Sequence, residues 1–270
     1  MRRLKKIGKT VLIIYALLTA MIYFFQEKLI FLPTKLAPDF SYSFAQPHKE
    51  FFLTAVDGAQ LNGIHFKQNN PKGVILYFHG NAGDLSRWGT ITEFFVEKHY
   101  DVIVMDYRTY GKSTGAISET ALHEDAQLFY EYTLRQYAED TIIVYGRSLG
   151  TGIASRLASK NRPYKLILET PFFSLMDVAQ DRFPFLPLKW LLKYQFASHK
   201  YVQDVGCPIF VFHGTEDGVI SYDSGKRLFA SIEKQEKKMY TIEGGGHNDL
   251  VTFEVYQKGI DEALEINELK

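Results

Sequence analysis

Residues 141–158 read T-I-I-V-Y-G-R-S-L-G-T-G-I-A-S-R-L-A, and this passage decides the fold. Ile142, Ile143 and Val144 form an unbroken apolar run, the pattern of a strand covered on both faces inside a parallel sheet. From Leu149 onward the spacing is helical. Between the two lies Gly146-Arg147-Ser148-Leu149-Gly150. A serine between a buried strand and a helix must occupy a sharp turn with strained backbone angles. Its neighbours two positions away must be small, or the turn collides with the sheet. The turn lifts the hydroxyl above the sheet edge, and the new helix presents its N-terminus to a developing negative charge. The pentapeptide alone is a common turn composition; its place between strand and helix is what marks Ser148 as a candidate nucleophile.

The rest of the chain repeats this alternation. Strand patterns occupy 50–55, 60–67, 73–78, 101–106, 141–145, 165–168, 208–212 and 238–242, and helical patterns 85–98, 118–137, 149–159, 221–234 and 250–264. Asp57-Gly58 between the first two strands signals an antiparallel hairpin. Such alternation predicts an α/β fold: an eight-stranded, mostly parallel sheet with right-handed crossovers and helices on both faces. Functional groups then belong in loops beyond the carboxyl ends of the strands.

A serine hydroxyl needs a base, and the base needs an orienting acid. His247 follows Gly244-Gly245-Gly246 after the last strand pattern, on a loop able to reach over Ser148. Asp217 lies in His213-Gly214-Thr215-Glu216-Asp217 after the strand at 208–212. Glu216 is the alternative acid; Asp223 and Asp249 are poorer candidates, lying in or at the start of helices. Acyl transfer also needs N–H donors preplaced for an oxyanion. The backbone N–H of Leu149 supplies one and that of Asn81, in His79-Gly80-Asn81-Ala82-Gly83, the other. His79 reads as a structural residue bonding loop backbone.

Together these pieces resemble the α/β-hydrolase superfamily, and most of all its compact membrane-tethered serine hydrolases, related to monoacylglycerol lipases and protein depalmitoylases. The matching segments are H-G-N-A-G-D (79–84), D-Y-R-T-Y-G-K-S-T-G (106–115), G-R-S-L-G (146–150), E-T-P-F (169–172), H-G-T-E-D-G-V-I (213–220) and G-G-H (245–247). The resemblance covers residues 50 to 265. It implies Ser148 as nucleophile, Asp217 as acid, His247 as base, and Asn81 and Leu149 as oxyanion donors. Two positions depart from it: Thr109, where glycine is usual, and Ile220, where proline is usual.

Arg2, Arg3, Lys5, Lys6 and Lys9 precede sixteen uncharged residues, Thr10 to Phe25. As a helix these span roughly 24 Å, slightly short of a bilayer, and flanking polar residues extend the reach by snorkelling. A signal anchor is the expected reading, with residues 1–9 a cytoplasmic stub by the positive-inside rule and the remainder outside. A cleaved signal peptide and a core helix are the alternatives; no small-residue cleavage pattern follows Ala20, and core helices rarely open on five basic residues. Residues 26–49 form a linker and 50–270 a catalytic domain. The 31 basic and 31 acidic residues therefore cancel between unlike parts: outside the first 25 residues, 26 basic face 31 acidic. That balance excludes a nucleic-acid partner, which needs a basic face. The single cysteine, Cys207, excludes an internal disulfide and reads as packing.

No H-E-x-x-H occurs and the histidines are scattered, so neither metal nor cofactor is expected. Tyr110-Gly111-Lys112-Ser113 is not a phosphate loop, because Asp106 stands where the first glycine belongs. The span 170–207 is too long for one crossover and rich in aromatics. It is expected either to form a short apolar cap, with Phe172, Trp190 and Phe196 lining an acyl pocket, or to pack as two helices on the sheet edge. The expected activity is hydrolysis of an ester or thioester of an acyl or lipid-like molecule. A peptidase on the same fold and a non-catalytic binding protein are the rivals.

Overall fold

The unbroken apolar runs become the centre of one sheet in the computed structural model, which describes residues 2–233 and 236–266. Its strands are β1 (His48–Thr54), β2 (Gln60–Phe66), β3 (Val74–Phe78), β4 (Asp101–Met105), β5 (Ile142–Arg147), β6 (Lys165–Glu169), β7 (Ile209–Gly214) and β8 (Lys237–Ile242). They lie in the order β8-β7-β6-β5-β3-β4-β2-β1. Only β2 runs antiparallel to its neighbours, β1 and β4. The remaining pairs are parallel. All eight expected strands are present, with ends moved by a residue or two. β5 runs on to Arg147, so that the strand delivers Ser148 directly into the turn.

Strand residues alternate between two apolar layers. Val74, Leu76 and Phe78 pack with Leu122 and Phe129 of α3 (Glu119–Leu134) and Ile153 of α4 (Leu149–Ala158). Ile75 and Tyr77 face Phe95 of α2 (Leu85–Val96) and Tyr256 and Ile260 of the C-terminal helix (Glu254–Leu264). Asp84 and Ser118 cap α2 and α3 by accepting backbone N–H bonds. The expected helix 221–234 is Tyr222–Ala230; its predicted last residue, Lys234, lies outside the described residues, as do residue 1 of the stub and 267–270 of the catalytic domain.

The N-terminal helix α1 is longer than its apolar run, Arg2–Ile30 rather than 10–25. Gln26, Glu27 and Lys28 continue it because they dock on the body: buried Gln26 donates to the Leu191 carbonyl and accepts the Lys193 N–H, and Glu27 pairs with Lys193. Over its apolar window the mean hydropathy is 1.9 and none of it is buried, long and apolar enough to cross a membrane. The following segment wraps the body. Leu32–Pro33 pairs in parallel with Ala82–Gly83, Phe31 is buried against Tyr194, and the Phe44 ring fills the space where Gly89 lacks a side chain.

Between β6 and β7 the chain forms three short helices: α5 (Leu175–Arg182), α6 (Leu188–Leu191) and α7 (Ser198–Tyr201). α5 packs against α6, and α6 against α1. This excursion stands over the end of the sheet where β5 delivers Ser148.

Candidate active site

Ser148 sits at φ 51° and ψ −116°, in backbone space that only a tightly determined turn imposes on a serine. Its N–H donates to the Glu169 carbonyl at 2.9 Å, fixing the turn to the neighbouring strand. The flanking glycines are required by contact. A Cβ on Gly150 would lie 2.0 Å from the Phe78 carbonyl oxygen, and one on Gly146 would lie 2.5 Å from the Gly150 carbonyl oxygen. Ser148 also occupies the N-cap position of α4, where its side chain makes no capping bond and its hydroxyl is left to His247.

The Ser148 hydroxyl donates to His247 Nε2 at 2.9 Å, and His247 Nδ1–H donates to Asp217 Oδ2 at 2.7 Å. A carboxylate only accepts, which fixes this tautomer. Asp217 Oδ1 accepts the N–H groups of Val219 and Ile220, each at 2.8 Å. Burial pushes the Asp217 carboxyl up, but contacts from His213 and His247 and the Ile220 N–H outweigh it and hold the group well below the usual carboxylate range. Glu216 is exposed and outside this chain of bonds; Asp223 pairs with Arg227 and Asp249 caps the Gly246 N–H. The glycine loop before His247 is tied rather than free, since Gly245 accepts the Glu216 N–H and Gly244 donates to the Thr215 hydroxyl.

Asn81 and Leu149 line a cavity of about 300 Å³ together with Ser148. The Asn81 side chain is committed elsewhere: its amide donates to the Ile30 carbonyl, and its oxygen accepts from Leu32 N–H and Tyr110 O–H. Only its backbone N–H is left to face a substrate. The cavity walls come from Phe172, from Leu175, Val178 and Ala179 of α5, and from Leu29 and Ile30 of α1. Of the three residues expected in the pocket, only Phe172 lines it. Trp190 is 80% exposed and outside it, because α6 turns that face away from the sheet. Phe196 is fully buried in the core, where it lies against Gly152 and stacks on Tyr194.

His79 is structural, as its place in the loop suggested. It is buried, bonds the Gly80 carbonyl at 2.6 Å, and lies 3.4 Å from Asp106. Thr109 occupies φ 73°, the left-handed region that explains why glycine is usual there. Cys207 is buried, and burial pushes its thiol up to about 12, away from the thiolate form. Among the described residues no group of three or more His, Cys, Asp or Glu could hold a metal ion.

Arg147 is the residue the sequence reading passed over. It is buried, stands 3.2 Å from Glu169, donates to the His247 carbonyl and the Asn248 side chain at 3.4 and 3.2 Å, and lies over the Trp88 ring. Glu169 in turn accepts from Tyr145 and Tyr256. The available signal was an arginine at the end of an apolar strand, which must find a partner when buried.

This sheet order, with a strained serine turn and a Ser–His–Asp bond chain at its carboxyl edge, defines an α/β-hydrolase, and comparison with known proteins agrees. A model of the serine aminopeptidase S33 family matches residues 69–195. An uncharacterised protein of Mycobacterium tuberculosis is 30% identical over 228 residues, covering 83% of this chain and 81% of that one. The lysophosphatidylserine lipase ABHD12 of Danio rerio is 30% identical over 196 residues, 64% of this chain and 50% of the other. Among solved structures, the Pyrococcus furiosus esterase Pf2001 matches with a TM-score of 0.68 at 18% identity, over 87% of this chain and 96% of that one. The chain belongs to the α/β-hydrolase superfamily and is a hydrolase.

Proposed function

We propose that the chain is a membrane-anchored serine hydrolase cleaving carboxylic esters or thioesters of acyl or lipid-like molecules through an acyl-Ser148 intermediate. The observation that carries this reading is the continuous Ser148–His247–Asp217 hydrogen-bond chain on the floor of an apolar cavity. Ser148 Oγ attacks the acyl carbon as its proton passes to His247 Nε2. The carbonyl π pair moves onto oxygen, toward the N–H groups of Leu149 and Asn81. Collapse expels the alkoxide or thiolate, which takes the proton from His247. Water then adds to the acyl carbon, giving its proton to His247, and Ser148 leaves with that proton restored.

Helix α1 supports the anchor. Residues 10–25 serve as the span, 1–9 as a cytoplasmic stub and 26–49 as the linker, which leaves 50–270 as a catalytic domain on the extracytoplasmic side. The docking of Gln26 and Phe31 on the body favours a retained anchor over a removed signal sequence.

The family model's description raises a peptidase as the second reading. An aminopeptidase must pair its substrate's ammonium with an anion, and the cavity wall carries Arg182 but no carboxylate among the described residues. A panel of p-nitrophenyl esters of rising chain length against aminoacyl amides separates the two. Esters are expected to turn over at least ~100-fold faster, roughly 2.7 kcal/mol in barrier; faster amide cleavage would overturn the ester assignment.

A further inference from the structure

We propose that residues 183–192 are immersed in the bilayer leaflet on the catalytic side, beside α1, so that the acyl cavity fills sideways from the membrane. The proposal rests on reading α1 as a bilayer span. It begins from a contact that a span standing clear of the body does not make. The Tyr15 hydroxyl donates to the Phe185 carbonyl at 3.2 Å, while Gln26, eleven residues further on, bonds Leu191 and Lys193. The cap segment therefore descends alongside the helix from Gln26 to Tyr15, about 16 Å along its axis at ~1.5 Å per residue. If residues 10–25 cross the membrane, Tyr15 lies about 15 Å along the helix below Phe25, the full depth of one leaflet of a ~30 Å core, so a cap touching it reaches the midplane of an upright span, and tilt of the helix brings it up into the leaflet on the catalytic side.

The segment is built for that place. It reads F-P-F-L-P-L-K-W-L-L, with one charge, and Lys189 has the stem to snorkel. Phe185 is 90% exposed and Trp190 80%, a cost in water and a gain in lipid. Backbone in lipid must satisfy its own hydrogen bonds. Here five of the eight N–H groups are bonded in this way: Phe183 N–H donates to Ala179, Leu186 to Phe183, Leu188 to Leu186, Trp190 to Pro187 and Leu192 to Leu188. Pro184 and Pro187 have no N–H to satisfy, and the Phe185 carbonyl has Tyr15. Leu29 and Ile30 of α1 and Phe183 and Leu192 of the segment line the cavity that has Ser148 on its floor. An acyl chain lying in that leaflet meets the cavity without leaving hydrocarbon.

The chain has two tryptophans, and Trp88 is buried in the core, so the fluorescence of Trp190 reports on the segment. The full chain is reconstituted in phosphatidylcholine vesicles containing acyl-brominated lipid. Trp190 emission is expected to fall by at least two-fold, a loss missing in Trp190→Phe. Exposed Phe185→Ser and Trp190→Ser, outside the cavity, are expected to lower hydrolysis of a long-acyl ester presented in vesicles by ten-fold or more and to leave a soluble acetyl ester within two-fold. Unquenched Trp190 in a chain that resists alkaline extraction overturns the proposal and leaves the anchor standing; if that chain is also dimeric, the patch belongs to a second copy. Extraction of the chain overturns the anchor and the proposal together. Loss of all ester turnover with Trp190 still quenched overturns the hydrolase reading alone.

Discussion

Asp217 and Glu216 are adjacent carboxylates with opposite surroundings. Asp217 accepts from His247 and from two backbone N–H groups, whereas Glu216 faces solvent. Asp217→Asn is expected to lower kcat by two to four orders of magnitude, since an amide can present an N–H to Nδ1 and favour the wrong tautomer. Glu216→Gln is expected to stay within about three-fold. A larger loss from Glu216→Gln would reassign the acid. Because Asp217 is held below the usual carboxylate range, it stays ionised through mildly acid pH. The serine was legible in the sequence because its chemistry is local: strand, two small residues and helix must be consecutive. The choice of acid was not, because Asp217 and Glu216 differ only in which way the loop points them.

At the scale of elements, the site is the meeting of four strand ends. β5 ends at Arg147, just before Ser148, β6 ends on Glu169, and the loops after β7 and β8 carry Asp217 and His247. Arg147 joins them, pairing with Glu169 while donating to the His247 carbonyl. It is a positioning residue. Arg147→Met is expected to lower kcat ten- to a hundred-fold with KM nearly unchanged, and Arg147→Lys to recover part of the loss. A rise in KM at constant kcat would instead place Arg147 in substrate binding. Neither this bridge nor the cap was legible in the sequence. Arg147 meets partners 22 and 100 residues away. Trp190 and Phe196 share an aromatic stretch whose composition does not say which ring faces inward. One lies exposed on the surface of the body and the other in the core because α6 and the turn after it orient them oppositely. The strands, by contrast, were legible almost to the residue, since burial on both faces leaves an unbroken apolar run.

At the scale of the molecule, burial sets the response to acid. His65 on β2 is fully buried, and burial first, with Lys67 and Lys49 nearby, lowers its pKa to about 3. Unfolded, an imidazole binds its proton near ~6.5. Between those values the unfolded chain holds one more proton than the folded one, so stability is full above about 6.5 and declines as pH falls toward 3. His65→Phe, which keeps the ring volume and leaves the Tyr137–Asp101 bond in place, is expected to flatten the dependence of Tm on pH across that window. An unchanged slope would assign the acid sensitivity to other groups. The zero net charge is also uneven along the chain: the first 25 residues hold five basic and no acidic side chains, and the remainder 26 basic against 31 acidic.

Whether Ser148 is an activated nucleophile is decided most directly by covalent labelling. The full chain in vesicles is treated with a fluorophosphonate probe, and the adduct is located by mass spectrometry. The expected result is a single adduct on Ser148, absent from Ser148→Ala and strongly slowed in His247→Ala, with both variants folded by circular dichroism. A folded wild-type chain that takes no probe, or a Ser148→Ala chain labelled as fast as wild type, would contradict the mechanism.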